Sequence, residues 1–224
     1  MARRKLTIII PAFNESPTIF KAVKDTKKFG KVIVVDDAST DDTLAMAKKA
    51  GATVIRNKRN LGYDHSLEKG LLYARKKNFY FAITFDADGQ HLAKDLPKVI
   101  NSLLKGNDLV LGIRNKIPRL AEKISIKIFN FFYKIKDPYC GLKAYRLSKL
   151  KKKKLVSYKS TGTEIALYLL KEGYSYNQIK ITTKERIDNP RFGNKLISNI
   201  KILKSTFISF NRLLAEKFNE NKAN

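Results

Sequence analysis

KVIVVDDASTDDT, residues 31–43, runs four consecutive β-branched aliphatic residues straight into a cluster of carboxylates and hydroxyls. An aliphatic run without polar alternation is the pattern of a strand buried on both faces. The polar cluster ends that strand, and Thr40 or Asp41 can cap a helix over 41–50. The unit recurs along the first half of the chain. Strands are expected at 6–10, 31–35, 52–55, 79–85 and 108–111, with helices at 17–29, 41–50, 64–77 and 92–105 between them. This βαβαβαβαβ alternation predicts an α/β fold with a mostly parallel central sheet flanked by helices.

In such a sheet, ligands bind beyond the carboxyl edge of the strands. That rule gathers four polar loops on one rim: PAFNE (11–15), DDASTDDT (36–43), NKRNLGYDHS (57–66) and DADGQH (86–91). In the last, Asp86 and Asp88 stand two apart, Gly89 lets the backbone turn, and Gln90 adds a neutral oxygen. Oxygen-only donors suit Mg2+ or Mn2+, which take one or two carboxylates and complete their shell with water and substrate phosphate. Without a metal the pair would repel phosphate, and D-x-D alone also occurs as a turn that satisfies backbone groups. Asp36 and Asp37 have no capping task and can accept hydrogen bonds from a base or ribose hydroxyl. No G-x-G-x-x-G follows a strand, which argues against a nicotinamide or flavin site.

The formal charge is +26. Residues 1–110 hold 20 Lys/Arg against 12 Asp/Glu, and residues 111–224 hold 26 against 8, so most of the excess is in the second half. Such a surplus attracts polyanions: nucleic acid, anionic lipid or phosphorylated substrates. A nucleic-acid-binding module is the reading from another class. It fits poorly, because four carboxylate-bearing loops would repel a polyanion and no RNA-binding signature is present. The chain of 224 residues is read as a single domain over 1–224, and one cysteine excludes an internal disulfide framework. No apolar signal segment follows Met1, and no stretch reaches about 18 apolar residues, so a cytoplasmic location without a spanning helix is expected. Two segments, RLAEKISIKIFNFFYKI (119–135) and NKLISNIKILKSTFISFNRLLAEKF (194–218), combine apolar and basic residues at helical spacing. They suit either a membrane interface or a cap on the core. The run at 151–154 reads as a solvated helix end or turn.

Taken in order, IIIPAFNE, VIVVDDASTDDT, NLGYDHSLEKGL, FDADGQH and DPYCGLKAYR resemble the inverting glycosyltransferases of family 2, which have the GT-A fold; the likeness covers about residues 5–195. It implies a nucleotide-sugar site in which Pro11, Phe13, Glu15, Asp36 and Asp37 hold base and ribose. Asp86 and Ala87 would lie near the ribose or metal, and Asp88 and Gln90 would ligate the metal at the diphosphate. DADGQH, the arginine of LGIRN (Arg114), DPYCGLKAY and PRFGNK make the polyprenyl-phosphate (dolichyl-phosphate) mannose and glucose synthases the most similar subgroup. By that resemblance the donor is GDP-mannose or UDP-glucose, the cofactor Mg2+ or Mn2+, and the acceptor a polyprenyl phosphate held by Arg114, Arg191 and Lys195. Asn194 stands where the subgroup has serine, and Ala38 where D-D-G-S has glycine.

A lipid monophosphate, with a second pKa of about 6, is already largely dianionic and needs no general base, unlike a sugar hydroxyl. By the resemblance the catalytic set is Asp86, Asp88, Arg114 and Asp137, with Asp137 either a base, as in relatives that glycosylate hydroxyls, or an orienting residue. Transfer to a saccharide hydroxyl is the alternative within enzymes. A peripheral position on the cytoplasmic membrane face follows from the two amphipathic segments, against an anionic membrane surface and possibly beside a separate membrane-anchoring protein; no nucleic-acid partner is expected. Glu164 is read as a site residue or a helix residue in an ion pair, His65 as structural, His91 as a ligand or an orienter, and Cys140 as a buried thiol.

Overall fold

The structure, a computed structural model, describes residues 5–117, 119–150, 161–184, 199–200, 202–204 and 206–208. The chain divides into two compact units, one formed by Met1–Lys116 with Asp137–Asn189 and the other by Ile117–Lys136 with Pro190–Asn224.

The first unit is built on one seven-stranded sheet. Its strands are β1 (Leu6–Ala12), β2 (Lys31–Asp36), β3 (Thr53–Arg56), β4 (Phe81–Thr84), β5 (Leu109–Arg114), β6 (Lys143–Arg146) and β7 (Tyr176–Ile181). The helices are α1 (Ser16–Lys27), α2 (Thr43–Ala50), α3 (Tyr63–Lys76), α4 (Leu96–Leu104) and, following β6, α6 (Thr161–Lys171); α5 (Leu120–Tyr133) belongs to the second unit. Strand order is β3-β2-β1-β4-β6-β5-β7. β1 pairs in parallel with β2 and β4, β2 with β3, and β5 with β7. Only β6 is reversed, antiparallel to both β4 and β5.

Sequence pattern explains most of this. Every residue of β1 is buried, and Ile8 and Ile10 join Val32, Val34, Ile83 and Val110 in one core cluster with Ile19 and Val23 of α1 and Leu96 and Val99 of α4. Burying each such side chain contributes roughly 1.5–3 kcal/mol. On α3, Gly70 faces Ile9 and Val35, the alternate residues of the same strands, so α3 covers the other face of the sheet. The parallel half and its helices match the expected alternation. β6, a short strand with a basic residue at each end, and β7 were not expected from the pattern.

One topological consequence positions the site. Because β1 to β5 all run the same way, the ends of β1, β2, β4 and β5 meet at one rim, and reversed β6 starts there, bringing residues 137–143 beside the loop after β4.

In the second unit, α5 buries Ala121, Glu122, Ser125 and Phe129 on one side, while Leu120, Ile124, Phe131 and Phe132 are exposed, Phe131 to 74%. Ser125 and Thr206 are hydrogen-bonded at 2.8 Å. Among the described residues no helix is long and apolar enough to cross a membrane.

Candidate active site

The loop after β2 is a packed lattice. Asp36 is buried; its Oδ1 accepts from the Ser39 amide at 3.2 Å, and its Oδ2 lies 3.2 Å from Arg56 Nε without hydrogen-bond alignment. Asp37 accepts from Asn57 Nδ2 (2.7 Å), Leu61 N (2.9 Å) and Gly62 N (2.8 Å), so its carboxylate fixes the loop after β3. Asp41 accepts from the amides of Ser16 and Thr43, joining the starts of α1 and α2. Burial alone would raise the Asp41 pKa, yet the bonds from Thr43 and Ser16 outweigh it and leave the carboxyl below its usual value. Ala38, at the position where the resemblance has glycine, adopts φ 61°, a left-handed conformation that costs a residue with a Cβ about 1–2 kcal/mol.

From β1, Pro11 pairs in register with Val35 and Glu15 is buried, accepting from Thr18 Oγ1 at 3.0 Å. Phe13 is half-buried at the same rim. The residues expected around base and ribose thus lie together at the ends of β1 and β2.

After β4 the two aspartates differ. Asp86 Oδ1 accepts from the Tyr63 hydroxyl at 3.1 Å, and its Oδ2 lies 3.5 Å from His91 Nδ1, which also accepts from the Asp86 amide at 3.4 Å. Gly141 backs this carboxylate: a Cβ there would fall 2.2 Å from Asp86 Oδ2. Asp88 is buried, its Oδ1 accepting from the Gln90 amide at 3.0 Å across Gly89, whose φ of 75° makes the turn. Ala87 between them is core. Among the described residues no group of three His, Cys, Asp or Glu converges as a metal cage. Asp88 and Gln90 supply oxygen donors only, a set that fits Mg2+ or Mn2+, which take few protein oxygens and fill the shell from water and phosphate, and does not fit a structural zinc site.

Across the rim, Arg114 ends β5. Its Nε and Nη2 donate to Asp137 Oδ2 (2.8 Å) and Oδ1 (2.9 Å), and its backbone amide reaches Oδ2 at 3.1 Å. Asp137 is fully buried. Such a bidentate pair fixes the guanidinium plane.

Several neighbours escaped the sequence reading. Tyr63 covers Asp86, Lys143 lies buried behind it, and Asp64 caps the start of α6 by accepting from the Thr161 amide at 2.7 Å. Burial lifts the Asp64 pKa to about 6, against the opposing pull of the Thr161 bond and Lys143. Glu164 is buried on α6 near enough to Asp64 to raise it further. Cys140 is buried, and burial pushes its thiol up to about 12, which leaves no nucleophile. His65 is exposed. Arg191 and Lys195, most of the segment 194–218 and the run 151–154 lie outside the described residues.

Comparison with known proteins fits this geometry. The profile of the family described as Glycosyl transferase family 2 matches residues 7–153. The chain is similar to the UDP-N-acetylglucosamine–dolichyl-phosphate N-acetylglucosaminyltransferase of Methanococcus voltae, at 29% identity over 183 residues covering 67% of this chain and 73% of that one. It is similar to the polyprenol monophosphomannose synthase of Mycolicibacterium smegmatis, at 25% identity over 209 residues, 82% of this chain and 78% of that one. Among solved structures, glucosyl-3-phosphoglycerate synthase from Mycobacterium tuberculosis, in complex with Mn2+, UDP and glucosyl-3-phosphoglycerate, superposes with a TM-score of 0.72 at 16% identity, covering 92% of this chain and 78% of that one. That likeness concerns the fold.

Proposed function

The chain belongs to glycosyl transferase family 2, and from that premise we propose that it moves a hexose, mannose or glucose, from GDP-mannose or UDP-glucose to a polyprenyl phosphate with inversion. Relatives named for transfer to dolichyl phosphate and polyprenol phosphate support the acceptor class.

The observation that carries the reading is the state of Asp137. Both its oxygens are committed to Arg114 and it is fully buried, so it offers no basic oxygen to a sugar hydroxyl. The site presents a fixed cation where a hydroxyl acceptor would call for a base. A phosphate acceptor needs the cation and no base. Arg114 gathers the acceptor phosphate. Pro11, Phe13, Glu15, Asp36, Asp37 and Ala87 line the nucleoside end of the donor, and Asp86 stands beside them.

Asp88 and Gln90 would hold Mg2+ or Mn2+, which when bound offsets the charge of the donor diphosphate; the Mycobacterium tuberculosis fold neighbour was solved with Mn2+ and UDP. An acceptor phosphate oxygen attacks the anomeric carbon in line and forms the new C–O bond. The bond from that carbon to the diphosphate oxygen breaks, and its electron pair leaves with the nucleoside diphosphate. Arg114, held in one plane by Asp137, stabilises the anionic groups as charge shifts between them.

Exposed Leu120, Phe131 and Phe132 on α5, beside Lys123, Lys127 and Lys134, suit a peripheral site on the cytoplasmic face of an anionic membrane, where the acceptor resides. A separate membrane-anchoring protein is a compatible partner. The test is incubation with labelled GDP-mannose, UDP-glucose or UDP-N-acetylglucosamine, Mn2+ and polyprenyl phosphate. Label extracted into organic solvent supports the reading; label transferred only to an added saccharide contradicts it.

A further inference from the structure

Lys143 opens β6 and is 4% exposed, an uncommon place for an ammonium. Its Nζ donates to the Cys140 carbonyl, and its backbone is pinned to β4, with its amide 3.0 Å from Thr84 Oγ1. The same Nζ lies 3.6 Å from where a Cβ on Gly162 would stand, so it sits under the first turn of α6. Asp64, whose carboxylate receives that turn at Thr161, interacts favourably with it. Burial lowers the pKa of this ammonium, and Cys140, Asp137 and Asp86 oppose that effect in part. Three segments far apart in sequence therefore meet one buried positive charge: residues 137–141, the start of α3 and the start of α6.

The carboxylates explain why a cation belongs there. Arg114 matches Asp137, whereas the contacts found for Asp86 are a tyrosine hydroxyl and a histidine, and for Asp64 a backbone amide. Even half-buried, such anions are costly without a nearby cation. A Lys143 without charge would leave Asp64, which Glu164 already repels, and Asp86 each without this favourable neighbour. Removing the amino group, as in Lys143→Met, would also take the tether at Cys140 from the segment that backs Asp86 with Gly141 and supplies Asp137 to Arg114.

We infer that Lys143 is a positioning residue of the transferase site: its buried ammonium ties residues 137–141 to the starts of α3 and α6 and holds Asp86 and the Arg114–Asp137 pair in place. The effect on donor binding rests on the proposed donor site; the effect on folding does not. The test is a double-mutant cycle of Lys143→Met and Asp64→Asn, read as the Kd of UDP and of GDP with Mn2+ and as the urea unfolding midpoint. Lys143→Met is expected to weaken nucleotide binding at least tenfold in the parent chain and no more than threefold beside Asp64→Asn, because one less carboxylate remains to offset. The loss in unfolding midpoint should shrink in the same background. Equal losses in both backgrounds, the behaviour of a side chain that only fills space, overturn the inference. If Lys143→Met alone does not fold, recovery of folding in the double variant supports it, and failure of the double variant while Asp64→Asn folds overturns it. Absence of nucleotide binding by the parent chain would refute the donor site instead, and the unfolding cycle alone would then decide the role of Lys143.

Discussion

Arg114 grips the fully buried carboxylate of Asp137 through two side-chain nitrogens, at 2.8 and 2.9 Å, and its own backbone amide closes a third bond to the same group. Removing one partner of such a pair leaves an uncompensated charge and costs about 3–5 kcal/mol. Asp137→Ala is expected to lose that much by urea denaturation and to reduce turnover more than tenfold, because Arg114 loses its plane. A loss below about 1 kcal/mol would contradict the pairing.

Ala38 sits at φ 61°, where a Cβ is unfavourable by about 1–2 kcal/mol, while glycine gives back part of that in unfolded-state entropy. Ala38→Gly is therefore expected to stabilise the chain by roughly 1 kcal/mol, read as a higher urea midpoint with an unchanged slope. A destabilised variant would mean that the loop relaxes in solution to a conformation alanine tolerates.

Gly141→Ala would drive a methyl to 2.2 Å from Asp86 Oδ2. Since the obstacle is a carboxylate held by the Tyr63 hydroxyl, the substitution is expected to move Asp86 and cut turnover at least tenfold. Tyr63→Phe, which removes only the hydroxyl bond, should have a smaller effect. Steady-state kinetics of the two variants side by side check that order.

Asp64 links pH to stability. Its carboxyl is raised from 3.8 to about 6 in the folded chain, so the native state binds the proton more tightly than the unfolded one. That contribution is complete below about pH 4 and disappears as pH rises through 6. Its size is at most about 3 kcal/mol, at 1.36 kcal/mol for each pKa unit. Asp64→Asn keeps the acceptor for Thr161 and removes the titration. The stability of the parent chain relative to this variant should fall between pH 4 and pH 7, and a flat difference would contradict the shift.

The parallel half of the sheet was legible because its strands are apolar on both faces and its loops carry their polarity in blocks, as at 31–43. The rim followed from strand direction alone, which placed the loops carrying Asp36, Asp37, Asp86 and Asp88 at one edge of the sheet, whereas Arg114 was singled out by resemblance. β6 escaped because Lys143-Ala-Tyr-Arg146 has only two apolar residues, and what makes it a strand is its place between β4 and β5. Lys143 reads as a surface residue until the antiparallel insertion buries it. Asp37 also closes a loop, accepting from residues 57, 61 and 62, a role that strand-end polarity does not reveal. Asp64 and Thr161 lie 97 residues apart, and no local pattern announces that one caps the other's helix.

The central claim is that Asp88, with Gln90, joins a divalent cation and the diphosphate of a nucleotide sugar to this chain. Calorimetric titration of UDP and of GDP into the parent protein and into Asp88→Ala, each with and without Mn2+, tests it most directly. Binding by the parent chain only when Mn2+ is present, weakened at least a hundredfold by the substitution, is the expected result. Equal affinity in both proteins, or affinity indifferent to Mn2+, would contradict the claim.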